Sequence, residues 1–131
     1  MKIRKFGGTW FRQPWPEKNQ KVIARYNVKD IVRFDNSDTI ITKAHKIKIG
    51  RNETNNIILD DPWTSRMHAK IEKHVFGHWT ITDLNSTNGT FIKRGDVLVK
   101  LIDGRFPIEK GDIIILGELK QPNTKLDIVD L

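Results

Sequence analysis

Asp83-Leu84-Asn85-Ser86-Thr87-Asn88-Gly89-Thr90-Phe91 is the stretch on which the reading of this chain turns. Apolar Leu84 leads into it and apolar Phe91 leads out. Between them every residue is short and polar, or glycine. Asn88-Gly89 is a strong turn signal, because both residues tolerate positive φ. A turn there lifts Ser86, Thr87 and Asn88 to a loop tip, where two hydroxyls and one amide can bind a polar ligand. Taken alone, the stretch is equally a plain hairpin turn.

Working outward, the neighbouring segments have the period of strands. Trp79 to Asp83 alternates and delivers the chain to the turn, and Phe91-Ile92 carries it away. Ala69 to Lys73 alternates as well, and His74 to His78 turns around Gly77. Further upstream, Val22 to Val28, Ile31 to Phe34, Thr39 to Thr42, Lys46 to Ile49 and Ile57 to Leu59 are strand candidates. Trp63 to His68 reads as a loop. Downstream come Asp96 to Ile102, Phe106 to Ile108, the continuous apolar run Ile113 to Leu116 and the alternating Lys125 to Leu131. An unbroken apolar run is what a strand buried on both faces requires. No segment has the apolar stripe of a helix. The expected fold is all-β: a two-sheet β-sandwich of about ten to eleven mostly antiparallel strands.

The 131 residues include no cysteine, which excludes disulfides and thiolate chemistry and suits a reducing compartment. The basic start, Met1 to Phe6, is followed by no apolar signal core, and no stretch is long enough to span a membrane. A cytoplasmic protein is expected. The net charge of +7 is concentrated at one end. Residues 1–29 hold eight cations against Glu17, while residues 30–131 hold fifteen charges of each sign. Residues 1–21 read as an irregular basic and aromatic arm, broken by Gly7-Gly8, Pro14 and Pro16, and residues 22–131 as the sandwich domain. Aromatics interleaved with cations, as in Phe6, Trp10, Phe11 and Trp15, either cover the sandwich or stack on bases. Nucleic acid, or another acidic partner, is therefore the alternative ligand through residues 1–29.

Three loops share a chemistry. Gly50-Arg51-Asn52 follows a strand, Ser65-Arg66-Met67-His68 precedes one, and the third loop is the opening stretch. Loops at one end of a sandwich cluster in space. Pooled, these supply two guanidinium groups, hydroxyls and an amide, with no carboxylate in their cores. That is the chemistry of an anion site, and the fork of arginine suits a tetrahedral phosphate.

In these motifs the chain resembles the forkhead-associated domain, a phosphothreonine-peptide-binding β-sandwich. The family pattern stands here as Gly50-Arg51, Ser65-Arg66-Met67-His68, Ser86-Thr87-Asn88-Gly89-Thr90-Phe91, Gly111-Asp112 and Ile115-Leu116-Gly117. The likeness runs from about Lys46 to Gly117. It implies that Arg51 binds phosphate and that Ser65 gives it a hydroxyl. Arg66 would add a backbone N–H or its side chain as well, Thr87 would contact the phosphate or frame the threonine methyl, and Asn88 would hold the peptide backbone. Gly50, His68 and Gly89 would be structural. Trp63, in the loop the family uses to read the third residue after the phosphothreonine, would favour an apolar or aromatic residue there. The preference for threonine over serine comes from the methyl group, worth roughly 0.8 kcal/mol when buried. The implied partner is a phosphothreonine-containing protein or peptide in signalling, with no cofactor and no metal. Two departures stand out: Lys93-Arg94-Gly95 where the family has a tighter turn, and a longer segment from Asp96 to Lys110.

Rival constellations are weaker. Ser65, His68 and Asp83 could make a hydrolytic triad, but no nucleophile elbow surrounds Ser65, so no catalytic residue and no enzyme is expected. His74 and His78, with His68, could ligate a metal only if their spacing lay on a helix, and Gly77 turns the chain between them. Thr9 could be phosphorylated and captured in place of an external ligand, although no kinase-like context surrounds it.

Overall fold

Alternation in Lys46–Gly50 (β6), Ala69–Lys73 (β8) and Trp79–Asp83 (β9) turns one side of each strand to the core and the other outward, where Gly50 and Thr80 are buried as well. Ile47, Ile49, Ala69, Ile71, Trp79 and Ile81 line that buried side. The computed structural model describes residues 1–5, 10–12, 24–26, 31–36, 39–117 and 124–131, with strand backbone alone for 10–12, 24–26 and 31–36. Among the described residues there are fourteen strands and no helix.

The remaining strands are Lys2–Lys5 (β1), Trp10–Arg12 (β2), Ala24–Tyr26 (β3), Ile31–Asn36 (β4), Thr39–Thr42 (β5), Ile57–Leu59 (β7), Thr90–Arg94 (β10), Val97–Lys100 (β11), Arg105–Pro107 (β12), Ile113–Leu116 (β13) and Thr124–Asp130 (β14). They form two seven-stranded sheets, ordered β11-β10-β13-β14-β1-β5-β4 and β12-β9-β8-β6-β7-β3-β2. The pairings are antiparallel except β2 with β3 and β6 with β7. The core between the sheets is dominated by isoleucine, including Ile3, Ile40, Ile92, Ile114 and Ile128.

The all-β sandwich is as expected, with more strands than the sequence suggests. Most of the surplus lies in three- and four-residue pieces. β1 corrects the expected domain boundary at residue 22. It pairs with both β14 and β5, and Ile3 lies in the core, so residues 2–5 belong to the sandwich. Two of the cations assigned to a basic arm are thereby used up. Arg4 forms an ion pair with Asp127 at 2.7 Å, and Lys5 is buried. Burial holds the Lys5 ammonium below its ordinary pKa, and nearby Asp61 draws it back up. Phe6, Thr9 and Trp15 lie outside the described residues.

β13 is buried on both faces along most of its length, as its apolar run requires. At one end of the sandwich, Arg94 from the expected loop insertion clasps buried Asp112 through Nε and Nη2, each at 2.8 Å. Glu109 N–H also donates to that carboxylate. The Gly111-Asp112 motif is therefore a structural clasp, and Arg94 is committed to it. The three polar loops lie at the opposite end.

Candidate functional site

The β6 strand ends at Gly50, and the backbone keeps pairing beyond it. Arg51 N–H donates to Ser65 O at 2.9 Å and Asn52 N–H to Arg66 O at 3.1 Å, so the loop after β6 runs against the loop before β8. Gly50 permits that approach: a Cβ there would sit 2.2 Å from Arg66 O. Asn55, fully buried, rivets the two loops, donating from Nδ2 to Asn52 O and Arg66 O at 2.8 Å each.

The loop from Asp60 to His68 is folded around Asp61. Its carboxylate accepts from Trp63 N–H, Thr64 N–H, Thr64 Oγ1 and Thr124 Oγ1 at 2.7–3.0 Å. His68 then fastens this loop to the third one. Ser65 N–H donates to His68 Nδ1 at 3.0 Å, and the second ring nitrogen lies 2.8 Å from Gly89 O. A backbone N–H can only donate, so Nδ1 is the acceptor and Nε2 carries the proton given to Gly89 O. Burial holds the His68 pKa below 6.5, opposed by the Gly89 hydrogen bond and by Asp83 and Asp61.

The stretch from Asp83 to Phe91 is not a hairpin. β9 and β10 belong to different sheets, so the chain crosses between the two layers here. Positive φ falls at Asn85 (58°) and Gly89 (90°), not at Asn88. Asp83 takes the place of a ladder as organiser. It accepts from Ser86 Oγ at 2.5 Å, Thr90 Oγ1 at 2.7 Å and Ser86 N–H at 3.1 Å. Burial pushes the Asp83 carboxyl up, but these bonds together hold it below its ordinary value. Ser86 Oγ also accepts from Gly89 N–H, so Ser86 is spent within the turn. Thr87 and Asn88 remain at the surface. Thr87 N–H donates to Ser65 Oγ at 3.0 Å, and Asn88 Nδ2 donates to Trp63 O at 2.9 Å.

The residues singled out in the sequence thus meet at one end of the sandwich. Arg51, Arg66 and Thr87 are exposed, while Ser65 and Asn88 are half-buried. Neither guanidinium group has a carboxylate partner among the described residues. Asp61 and Asp83, the acids within the second and third loops, are engaged by internal donors. Ser65 Oγ accepts one bond and keeps its own proton to donate, and Asn88 keeps its Oδ1 as a free acceptor. Trp63 is half-buried against Gly117, whose added Cβ would meet the Trp63 Cβ at 2.9 Å. Ser65, His68 and Asp83 form no relay, because both His68 nitrogens are bound to the backbone. His74 and His78 stack with ring centroids 4.7 Å apart, and His74 Nε2 bonds Thr80 Oγ1 at 2.7 Å. Sequence reasoning passed over Asn55 and Asp61 and weighed Asp83 only as a catalytic acid. The Asp-Pro-x-Thr and Asp-x-x-Ser spacings, typical of side chains closing turns, were the available signal for the two aspartates.

A sequence model of the FHA domain matches residues 47–117. The chain belongs to the FHA domain family. It is 30% identical over 103 residues to the FHA domain-containing protein FhaB of Mycolicibacterium smegmatis, an alignment covering 76% of this chain and 64% of FhaB. The chain therefore spans under two thirds of that relative's length. The solution structure of an FHA domain from Arabidopsis thaliana superposes with a TM-score of 0.58 at 29% identity, covering 78% of this chain and 84% of that one. An FHA domain studied for phosphothreonine-dependent interactions shares the fold, with a TM-score of 0.53 at 24% identity over 78% of this chain and 95% of that one. The FHA domain is a protein-interaction domain. No helix among the described residues is long and apolar enough to cross a membrane.

Proposed function

We propose that this FHA domain binds phosphothreonine in a protein partner and acts in cytoplasmic signalling as a recruiting module without catalytic activity. One observation carries the reading. Two guanidinium groups with no carboxylate partner among the described residues, a hydroxyl with a proton to give and a free amide oxygen sit on three loops tied together by Asn55 and His68, the third of them held in shape by Asp83. A phosphothreonine brings about −2 charge and three acceptor oxygens to such a set. Arg51 pairs with the phosphate, Ser65 Oγ donates to it, and Arg66 adds a second cation at the rim. Thr87, its N–H already spent on Ser65, contributes its side chain. Asn88, held through Nδ2, offers Oδ1 to a ligand backbone N–H. Preorganisation of these groups spares the ligand the cost of ordering them.

Trp63 reads a flanking position. Its indole, next to Asn88 through the bond to Trp63 O, favours an apolar or aromatic ligand residue there. Single-module affinity is on the order of micromolar, about −8 kcal/mol. An oriented phosphothreonine peptide library, with Arg51→Ala as control, tests the reading. The wild-type protein selects a sequence and the variant loses all retention. Equal retention by both would overturn it.

A further inference from the structure

Four strands of the second sheet set a row with three cations on the face turned away from the core. Ile47 and Ile49, Ala69 and Ile71, Trp79 and Ile81, and Phe106 point inward on β6, β8, β9 and β12. Alternation therefore sends Lys48, Lys70, Thr82 and Arg105 outward. Strand register places them side by side: Lys48 opposite Lys70, Lys70 opposite Thr82, and Thr82 opposite Arg105. Three interstrand spacings make this row about 14 Å long. The parallel row behind it reads Lys46, Glu72, Thr80 and Pro107. Among these eight side chains Glu72 is the lone carboxylate. Its pairing with Lys70 at 3.0 Å, aided by Lys46 and Arg105, holds it below the usual carboxylate range.

Four cations against one acid leave the face short of negative charge. Lys48 and Lys70 stand directly opposite each other, an arrangement that destabilises a ladder unless an anion lies between them. Lys48 and Arg105 form no ion pair among the described residues. The row also begins beside the phosphate-facing loops. Lys48 lies two residues before Gly50, Lys70 two residues after His68, and Thr82 immediately before Asp83. From Arg51 to Lys48 is about 10 Å of extended backbone, a distance that about three ligand residues would cover. The outward side chains of these strands include no aromatic ring on which a base could stack, which favours an acidic peptide over single-stranded nucleic acid.

We propose that the phosphothreonine of the partner is flanked, beginning about three residues away on the side not read by Trp63, by a run of Asp or Glu that lies along Lys48, Lys70 and Arg105. This inference rests on the phosphothreonine reading above and extends its ligand across the sheet.

Three fluorescent peptides test it by anisotropy: a phosphothreonine core with alanine flanks, and two versions carrying four glutamates before or after the phosphothreonine. Exposed ion pairs are each worth a factor of about two, so one acidic version binds roughly five- to tenfold tighter than the core at low salt. That gain disappears near 0.5 M salt, roughly where the screening length falls below 5 Å. It also disappears in the Lys48→Gln, Lys70→Gln, Arg105→Gln triple variant, which keeps wild-type affinity for the core peptide. Should the triple variant unfold, the salt series on the wild-type protein decides. Equal binding of all three peptides, or a gain that survives salt or the triple variant, overturns the inference and leaves the phosphothreonine reading standing. Loss of the core peptide by a folded triple variant also overturns it. Binding of a single-stranded oligonucleotide by the wild type but not the variant assigns the row to nucleic acid and refutes the acidic-peptide reading. Failure of the wild type to bind any of the phosphopeptides removes both.

Discussion

Replacing Gly50 with alanine tests whether close contact between two loops builds the site. The new methyl group would lie 2.2 Å from Arg66 O and 2.8 Å from both the Arg66 carbonyl carbon and Asn55 Nδ2. Relieving that overlap requires the loops to part by about 1 Å, enough to break a hydrogen bond of ordinary length. Three such bonds cross the contact: Arg51 N–H to Ser65 O, Asn52 N–H to Arg66 O, and Asn55 Nδ2 to Arg66 O, at 2.8–3.1 Å. Each contributes about 0.5–1.5 kcal/mol net, and a buried amide left unpaired costs more. The expected destabilisation is about 3 kcal/mol, which lowers the thermal midpoint of a domain this size by about 10 °C. Affinity for a phosphothreonine peptide falls at least about tenfold, because Arg51 and Ser65 no longer share one geometry. Thermal denaturation followed by circular dichroism and peptide anisotropy measure the two effects. An alanine variant with wild-type midpoint and wild-type affinity would refute the argument.

Three further outcomes follow from the same bonds. Asp83→Ala frees Ser86 and Thr90 from their shared acceptor. It lowers stability by about 1–3 kcal/mol in urea titration and weakens peptide binding, because Thr87 and Asn88 lose their fixed positions; unchanged binding would count against Asp83 as the organiser. Acidification destabilises the domain through His68. Its folded-state pKa lies below 6.5, so below about pH 6.5 the unfolded chain takes up a proton that the folded chain refuses. Its contribution is fully present above that pH and is lost as the pH falls through the lower folded value. Urea midpoints should drop between pH 7.5 and 5.5, and midpoints that hold steady or rise would contradict the neutral, doubly bonded ring. Trp63→Arg shifts the phosphopeptide library profile from apolar or aromatic toward acidic residues at one flanking position, and an identical profile would remove Trp63 from specificity.

The layered fold was legible because its strands obey a single period. Ala69–Lys73, Trp79–Asp83 and Ile113–Leu116 lie where alternation or an unbroken apolar run puts them. β1 was not legible: at four residues, with Lys5 buried on the same side as Ile3, it carries no clean alternation. Its place between β14 and β5 is set by pairing across the whole chain, which no local window contains. The stretch from Asp83 to Phe91 was recognised as a turn, but its Asn-Gly pair suggested a hairpin. Which sheet receives the strand after a turn is a tertiary choice, and here the chain changes layers. That the loops carrying Arg51, Ser65, Arg66, Thr87 and Asn88 come together was legible, because loops at one end of a sandwich cluster. Asn55 and Asp61 were not, since their role lies in backbone groups that meet only in the folded protein.

The central claim is that the three loops form a phosphothreonine slot. Isothermal titration of the wild-type protein with two peptides identical except for the phosphate on one threonine tests it most directly. The phosphorylated peptide binds with an affinity on the order of micromolar, and loss of the phosphate weakens binding at least about a hundredfold, the equivalent of about 2.7 kcal/mol. Equal affinity for the two peptides would contradict the account.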